Sequence, residues 1–586
     1  MTLFQVTDLT VQFGSATRHL TAVPRAVDGV SFEVAAGKTL AIVGESGSGK
    51  TVSLLAATGL LADRVQVTGS ATLRGEQLME LSESAHRSVL GGEIGFVFQD
   101  PASNLHPFKR IGTQIAEAVR AHQRISRTAL RARVTELLQQ VGLGRDPKVA
   151  RAYPAELSGG QRQRVMIAIA IANNPALIIA DEPTTALDAS VQAEILALLK
   201  RLQEEHNTAI VIVSHDLAVV GSFADDVVVM RHGKVIECGT RDDIYGEPRE
   251  AYTRELLAAS AMHVARNAAT MTEATVASVT RVAQTPAAEG TILRVRGLTK
   301  SYPKRSGHGR TTVFENIDLE LARGEVLALV GESGSGKSTI GRIVAGLQYA
   351  DSGEIVLDGE TLPTAKTDAV PTLAVSTRHK VQLVFQDPYT SLNPRRTVAW
   401  SIASGYRVQG IDRDKTWRRV IEVAELAQLP LNLLQRYPSA LSGGQRQRVA
   451  IARALMLAPD IIVADEAISA LDVTTQREIV QLIQRLRERE GTAFLFITHD
   501  LGVVRSLADN VIVLSADGVE DAGPVEQVFA QPTSAYTRQL LDAIPKLPVT
   551  TRIQPGDVET EQNGVAHPDS VSTESEQRFA KEAVSS

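Results

Sequence analysis

One stretch of this sequence constrains the fold more than any other, because it occurs twice. Gly44-Glu45-Ser46-Gly47-Ser48-Gly49-Lys50-Thr51 returns 287 residues later as Gly331-Glu332-Ser333-Gly334-Ser335-Gly336-Lys337-Ser338. Its ordered companions return with it. Phe98-Gln99-Asp100-Pro101 becomes Phe385-Gln386-Asp387-Pro388, and Leu157 to Val165 reappears as Leu441 to Val449 without a change. Ala180-Asp181-Glu182 returns as Ala464-Asp465-Glu466, and His215-Asp216 as His499-Asp500. The glycine loops and the glutamines share the offset of 287, whereas from the Ser-Gly-Gly-Gln element onward it is 284. On that count three residues are lost, all between the glutamine and that element. The chain is a duplication of one fold, and 586 residues suit two two-lobed domains.

Each half reads as α/β. The apolar runs Thr39–Val43, Leu177–Ala180, Ala209–Val213 and Val227–Met230 end at glycine, acidic or histidine residues and alternate with helical stretches. Residues 111–150 and 398–436 have helical spacing and fall between the repeated motifs. Each domain is therefore expected to hold a mostly parallel core sheet with an inserted helical subdomain. The boundaries follow from composition: a first domain over 1–262, a flexible linker over 263–290, a second domain over 291–547, and an acidic, disordered tail over 548–586. A loose 263–290 coil would span about 30 Å, enough to join two domains lying face to face.

The glycine loop follows a strand and opens a helix, the context in which its pattern carries phosphate chemistry. Glycines let successive N–H groups curl around phosphate oxygens, and the helix N-terminus adds partial positive charge. Lys50 and Lys337 would reach the β- and γ-phosphates, and Thr51 and Ser338 would offer hydroxyls to Mg²⁺. Leu177–Ala180 and Ile461–Ala464 read as buried parallel strands ending in Asp-Glu, at the sheet end where ligands sit. Asp181 and Asp465 would hold the Mg²⁺ shell, and Glu182 and Glu466 would polarise the attacking water. His215 and His499 close the next strand and are placed to contact the γ-phosphate. Gln99 and Gln386 gain meaning only from the ordered set, as catalytic and metal-shell side chains.

Ser158-Gly159-Gly160-Gln161 and Ser442-Gly443-Gly444-Gln445 precede the helical segments Gln161–Ala172 and Gln445–Leu457. Serine is a natural helix cap, but the glycines are expected to leave the N-terminus bare and open to an anion. A second phosphate site in a domain that already has one makes sense if it serves the nucleotide of the other domain.

Composition excludes several classes. A net charge of −6 and a pI near 6.1 argue against a protein that coats nucleic acid. The single cysteine, Cys238, cannot build a disulfide, a zinc knuckle or a cysteine-ligated cluster, and is expected to be a packed side chain. No apolar run approaches the roughly 18 residues of a spanning helix. Residues 1–6 show no signal-peptide pattern. A soluble chain in a reducing compartment is expected, reaching a membrane only by docking.

The ordered set of glycine loop, glutamine, Leu-Ser-Gly-Gly-Gln, Asp-Glu, Ala-Leu-Asp (186–188 and 470–472) and histidine resembles the ATP-binding cassette superfamily across both halves. The resemblance implies a head-to-tail sandwich with two ATP molecules between the domains, Lys50 working with Ser442 and Lys337 with Ser158. Phe13 and Tyr302 match the aromatic that stacks on adenine. Residues 385–394, their variant at 98–107, and Ala-Tyr-Thr-Arg-(Glu/Gln)-Leu-Leu at 251–257 and 535–541 are similar to the oligopeptide, dipeptide, nickel and glutathione importer subfamily. That subfamily implies two transmembrane permease subunits, an extracytoplasmic solute-binding protein, and a peripheral position on the cytoplasmic face of the inner membrane. Three departures stand out. The cysteines that bind an iron–sulfur cluster in many relatives are missing, the usual His-Pro before the tyrosine is Glu250-Ala251 and Ser534-Ala535, and Pro183 becomes Ala467. A soluble tandem ATPase acting on ribosomes or DNA is the alternative; it would call for a charged helical linker, a coiled-coil insertion or zinc cysteines. A non-hydrolysing scaffold would be expected to lose a catalytic Glu or His, and neither half has.

Overall fold

The computed structural model describes residues 2–14, 25–61, 65–185, 187–264, 290–303, 309–367, 369–468 and 471–544. All but the edges of the expected linker, and all of the expected tail, lie outside the described residues. The described chain forms two compact units, one per repeat.

The first unit contains strands β1 (Thr2–Phe13), β2 (Arg25–Ala35), β3 (Thr39–Val43), β4 (Val65–Leu73), β5 (Glu76–Gln77), β6 (Ile94–Val97), β7 (Leu177–Asp181), β8 (Ala209–Ser214), β9 (Asp226–Arg231) and β10 (Lys234–Thr240). Strands β2-β1-β4-β5 make an antiparallel sheet, and β10-β9-β3-β8-β7-β6 make the core sheet. The core pairs are parallel except for β10 against β9. Strands β3, β7 and β8 are buried along their whole length, which is why they read as unbroken apolar runs rather than alternating ones.

The second unit repeats this with β11 (Thr291–Pro303), β12 (Arg310–Ala322), β13 (Val326–Gly331), β14 (Ser352–Leu357), β15 (Glu360–Thr361), β16 (Val381–Val384), β17 (Ile461–Asp465), β18 (Ala493–Ile497), β19 (Asn510–Ser515) and β20 (Gly518–Pro524). Its sheets run β12-β11-β14-β15 and β16-β17-β18-β13-β19-β20, the same two orders. The expected helical lobes are present. Helices Ile111–His122 and Arg127–Gln140 in the first unit, and Val398–Val408 and Arg413–Leu426 in the second, bury their apolar faces against the helix that follows the Ser-Gly-Gly-Gln element.

Strand register corrects the simple count of offsets. Phe4 pairs with Leu73 and Leu293 with Leu357, so β4 and β14 are offset by 284, although the glycine loop before them and the glutamine after them are both offset by 287. The second half loses three residues between the helix after the glycine loop and β14, and regains three before Gln386. Equal end-to-end spacing had hidden two cancelling changes. Cys238 is also corrected. It sits exposed on β10, an edge strand with one paired neighbour, where a side chain has sheet on one side only.

Candidate active site

Parallel pairing brings the repeated motifs to one edge of each core sheet. Val43, the last residue before the glycine loop, lies opposite Ser214, and Asp181 lies opposite Val213. Val97 is opposite Ala180, which delivers Gln99 to the same edge. Because β3 lies between β8 and β9, the loop emerges where strand order changes direction, the crevice position for ligands in such sheets.

The loop's shape requires glycine at its first position. Gly44 has φ of 149°, and a Cβ there would sit 2.1 Å from the Met230 carbonyl oxygen; at Gly331 the figures are 147° and 1.9 Å from the Leu514 carbonyl. From there Glu45 to Gly49 and Glu332 to Gly336 lead into helices Lys50–Ala57 and Lys337–Val344. Lys50 is buried, and its Nζ donates to the carbonyls of Gly44 at 2.8 Å and Glu45 at 2.9 Å. Lys337 repeats this with Gly331 at 2.8 Å and Glu332 at 2.7 Å. Burial lowers the Lys50 pKa, against the pull of Glu182 and Asp181.

Thr51 Oγ1 donates to Asp181 Oδ1 at 2.9 Å, and Ser338 Oγ to Asp465 Oδ1 at 2.7 Å. Burial pushes the Asp181 carboxyl up to about 6 and raises Asp465 too. Next in sequence, Glu182 and Glu466 are the hubs. Gln99 Nε2 donates to Glu182 Oε2 at 2.8 Å, Thr185 Oγ1 to the same oxygen at 2.9 Å, and His215 Nδ1 is 3.4 Å from Oε1. Gln386 Nε2 donates to Glu466 Oε2 at 2.6 Å, with His499 Nδ1 3.6 Å from Oε1. Burial opposes ionisation of Glu182, but the His215 contact, with help from Lys50 and Thr185, holds its pKa down at about 2. The same contact raises the histidines: burial works against the imidazolium, and the glutamate overcomes it in both halves.

The Ser-Gly-Gly-Gln elements differ from expectation in one respect. Their helices start at Gly159 and Gly443, and the N-termini are not bare. Ser158 Oγ accepts the Gln161 N–H while Gln161 Oε1 accepts the Ser158 N–H, and Ser442 with Gln445 repeats this reciprocal cap. Gly160 and Gly444 also have a packing role, because a Cβ would come within 2.5 Å of Val191 and 2.4 Å of Thr475. The remaining first-turn donors lie at Gly159 and Gly160, and at Gly443 and Gly444.

Phe13 ends β1, about half exposed. Tyr302 sits near the end of β11, its hydroxyl accepting Gln348 Nε2 at 2.7 Å and its ring 5.4 Å from Lys300 Nζ. Ala186 and Ala470 lie outside the described residues; Asp188 caps helix Ala189–His206 through the Val191 N–H. Sequence reasoning gives no site role to Thr185, which lacks a motif signal, or to Tyr252 and Tyr536 of the repeated Ala-Tyr-Thr-Arg element, whose hydroxyls touch the glycine loops.

A phosphate loop, a hydroxyl–carboxylate pair and a hydrogen-bonded glutamate at one end of a parallel sheet define a P-loop nucleotide hydrolase, built twice. Comparison with known proteins narrows the class. The family model described as ABC transporter matches residues 27–185 and 314–469, and that described as oligopeptide/dipeptide transporter, C-terminal region, matches 519–567. The chain is 41% identical over 546 residues to the glutathione import ATP-binding protein GsiA of Salmonella choleraesuis (strain SC-B67), covering 89% of this chain and 86% of that protein. It is 40% identical over 610 residues to the oligopeptide transport ATP-binding protein OppD of Mycobacterium tuberculosis, with coverages of 93% and 98%. Over 552 residues it is 40% identical to the peptidoglycan transport ATP-binding protein YejF of Agrobacterium fabrum, with coverages of 92% and 96%. The chain belongs to the ABC transporter family, with two ATP-binding ATPase domains in one polypeptide.

Proposed function

We propose that this chain is the ATP-hydrolysing motor of an importer for peptides or a related small solute such as glutathione. Two permease subunits would carry the solute across the membrane, an extracytoplasmic binding protein would deliver it, and this chain would sit on the cytoplasmic face. The reading is carried by one observation: the same arrangement of lysine, hydroxyl, aspartate, glutamate, glutamine and histidine occurs twice, in a chain whose relatives are named for glutathione, oligopeptide and peptidoglycan transport. Among the described residues no helix is long and apolar enough to cross a membrane, so the permeation path would belong to partners. Nothing in the comparisons favours ribosomes or DNA.

In each half the glycine-loop amides and Lys50 or Lys337 would bind the phosphates, and Phe13 or Tyr302 would stack on adenine. The Ser158–Gln161 and Ser442–Gln445 turns would add donors to bound nucleotide through their glycine amides. The oxygen donors Thr51, Asp181 and Gln99, and Ser338, Asp465 and Gln386, suit a small hard cation such as Mg²⁺. When bound, Mg²⁺ supplies positive charge to the phosphates. Glu182, kept ionised, is an acceptor for the attacking water's proton, and Gln99 and Thr185 fix its far oxygen. His215 and His499 can donate their second ring N–H toward a phosphate oxygen.

The test is capture of the tagged chain with its membrane partners, followed by ATP-driven uptake in proteoliposomes with short peptides and glutathione offered separately. Copurifying permeases and uptake of one of these solutes are expected. Recovery with ribosomes or DNA instead would overturn the importer reading.

A further inference from the structure

One contact outside the hydrolytic groups is made in both halves. Tyr252, at the start of helix Ala251–Val264, is buried, and its hydroxyl accepts the backbone N–H of Glu45 at 3.3 Å. Tyr536, at the start of helix Ala535–Asp542, accepts the N–H of Glu332 at 3.0 Å. Both belong to the repeated Ala-Tyr-Thr-Arg element, 207 and 204 residues downstream of the loop residues they touch. The carbonyl of the same loop residue is taken by the loop lysine. Glu45 and Glu332 are thus held at both main-chain groups, by a distant helix on the N–H side and by the loop's own lysine on the other.

These two grips differ in kind. An ammonium has three donors, so a lysine that turns more than one of them to phosphate oxygens loosens its hold on the two carbonyls. The tyrosine takes the N–H of the same residue and uses none of the lysine's donors, so the lysine can turn to a phosphate without releasing that grip. We propose that Tyr252 and Tyr536 are positioning residues of the two glycine loops, through which the C-terminal helix of each half fixes the shape of the phosphate cradle. This rests on the loops being phosphate sites, as proposed above. The first anchor is the better shielded from water, although its contact is the longer, 3.3 Å against 3.0 Å. The Arg231 guanidinium lies 4.3 Å from the Tyr252 ring centroid, and burial pushes the Tyr252 pKa up to about 12, keeping the hydroxyl neutral. In the second half Ser515 holds the place of Arg231 at the strand end, and Tyr536 is only half buried.

The experiment uses the full chain carrying Lys337→Ala, so that binding of a fluorescent ATP analogue reports the first loop. Tyr252→Phe keeps the ring and removes the hydroxyl. It is expected to weaken binding about five-fold, the size of one neutral hydrogen bond, and to raise KM more than it lowers kcat, with the thermal midpoint unchanged. Tyr536→Phe, measured in a Lys50→Ala chain, is expected to weaken binding about two-fold, since water can replace a half-exposed hydroxyl. Unchanged affinity in Tyr252→Phe, or a loss matched by a fall in the midpoint, overturns the proposal. The Lys50→Ala, Lys337→Ala double variant separates the two readings. If it still binds the analogue at wild-type affinity, the loops are not phosphate sites and the underlying assignment fails; if it abolishes binding while Tyr252→Phe leaves it intact, only the anchor fails.

Discussion

At one position in the small sheet the first half sets Val11 opposite Val67, whereas the second sets Lys300 beside Asp351, with Nζ and Oδ1 3.3 Å apart. The flanking pairs, Thr10 with Thr68 and Thr299 with Ser352, show that these positions correspond. Lys300 is fully buried and Asp351 nearly so; Asp351 also accepts the Ser301 N–H and lies 3.6 Å from Arg310. An apolar contact has become an ion pair without disturbing the hydrolytic edge. Hydroxyl to aspartate is 2.9 Å in one half and 2.7 Å in the other; glutamine to glutamate is 2.8 and 2.6 Å. The geometry of this edge is set by the parallel core sheet, and the antiparallel sheet beside it is free to change its chemistry.

The strongest way to break that equivalence is to remove one glutamate at a time. Glu182→Gln and Glu466→Gln keep shape and lose the basic oxygen, so each is expected to remove at least its own site's half of steady-state hydrolysis, and the two together to lower it by about a hundredfold or more. Phosphate-release assays on the two single variants decide the matter. A wild-type rate in either would show that the matched geometry conceals one silent site.

The ion pair itself gives the next largest effect. Asp351→Leu strands the buried Lys300 ammonium, and the second domain should lose about 3–5 kcal/mol. Replacing both, as Lys300→Val with Asp351→Val, recreates the first half's arrangement and should recover most of the loss, because a buried pair earns little over apolar packing. Urea unfolding followed by second-domain tryptophans, Trp400 and Trp417, measures both variants. Burial acts to raise the Asp351 pKa, but Ser301 and Lys300 lower it below the ordinary carboxylate value. The folded value is thus the lower one, so this stabilisation is complete above roughly pH 4 and fades as pH falls through the folded pKa. Acid sensitivity from this source should vanish in the double variant.

What the sequence made legible follows from what it repeats. Strands such as Leu177–Asp181 are buried on both faces, so their apolar runs announce them, and the acidic or histidine residue at each end is forced onto one sheet edge. Register is less visible. A three-residue loss before β14 and a gain after it cancel in any count taken between motifs. The reciprocal Ser158–Gln161 cap was hidden because the same residues suit either a cap or an anion site. Tyr252 and Tyr536 belong to a repeated element that the sequence displays, but their reach to the glycine loop depends on tertiary packing across some two hundred residues.

The smallest difference lies beside Glu182 and Glu466, where Pro183 in one half is Ala467 in the other. Glu182 has φ of 46° and Glu466 of 47°, a left-handed conformation that costs a non-glycine residue about 1–2 kcal/mol. Since both adopt it, the proline ring cannot be what imposes it. The shared cause is the hydrogen bonding on either side of the turn. Glu182 N–H donates to the Val213 carbonyl at 3.0 Å and Glu466 N–H to Ile497 at 2.8 Å, while Gln99 or Gln386 fixes the carboxylate. Pro183 then acts mainly on the unfolded chain, by removing conformations of its own backbone. Pro183→Ala should cost the first domain about 0.4–1 kcal/mol and leave kcat unchanged. The opposite result, kcat reduced tenfold at unaltered stability, would mean that the ring shapes the glutamate's turn and that the two sites reach the same geometry by different means.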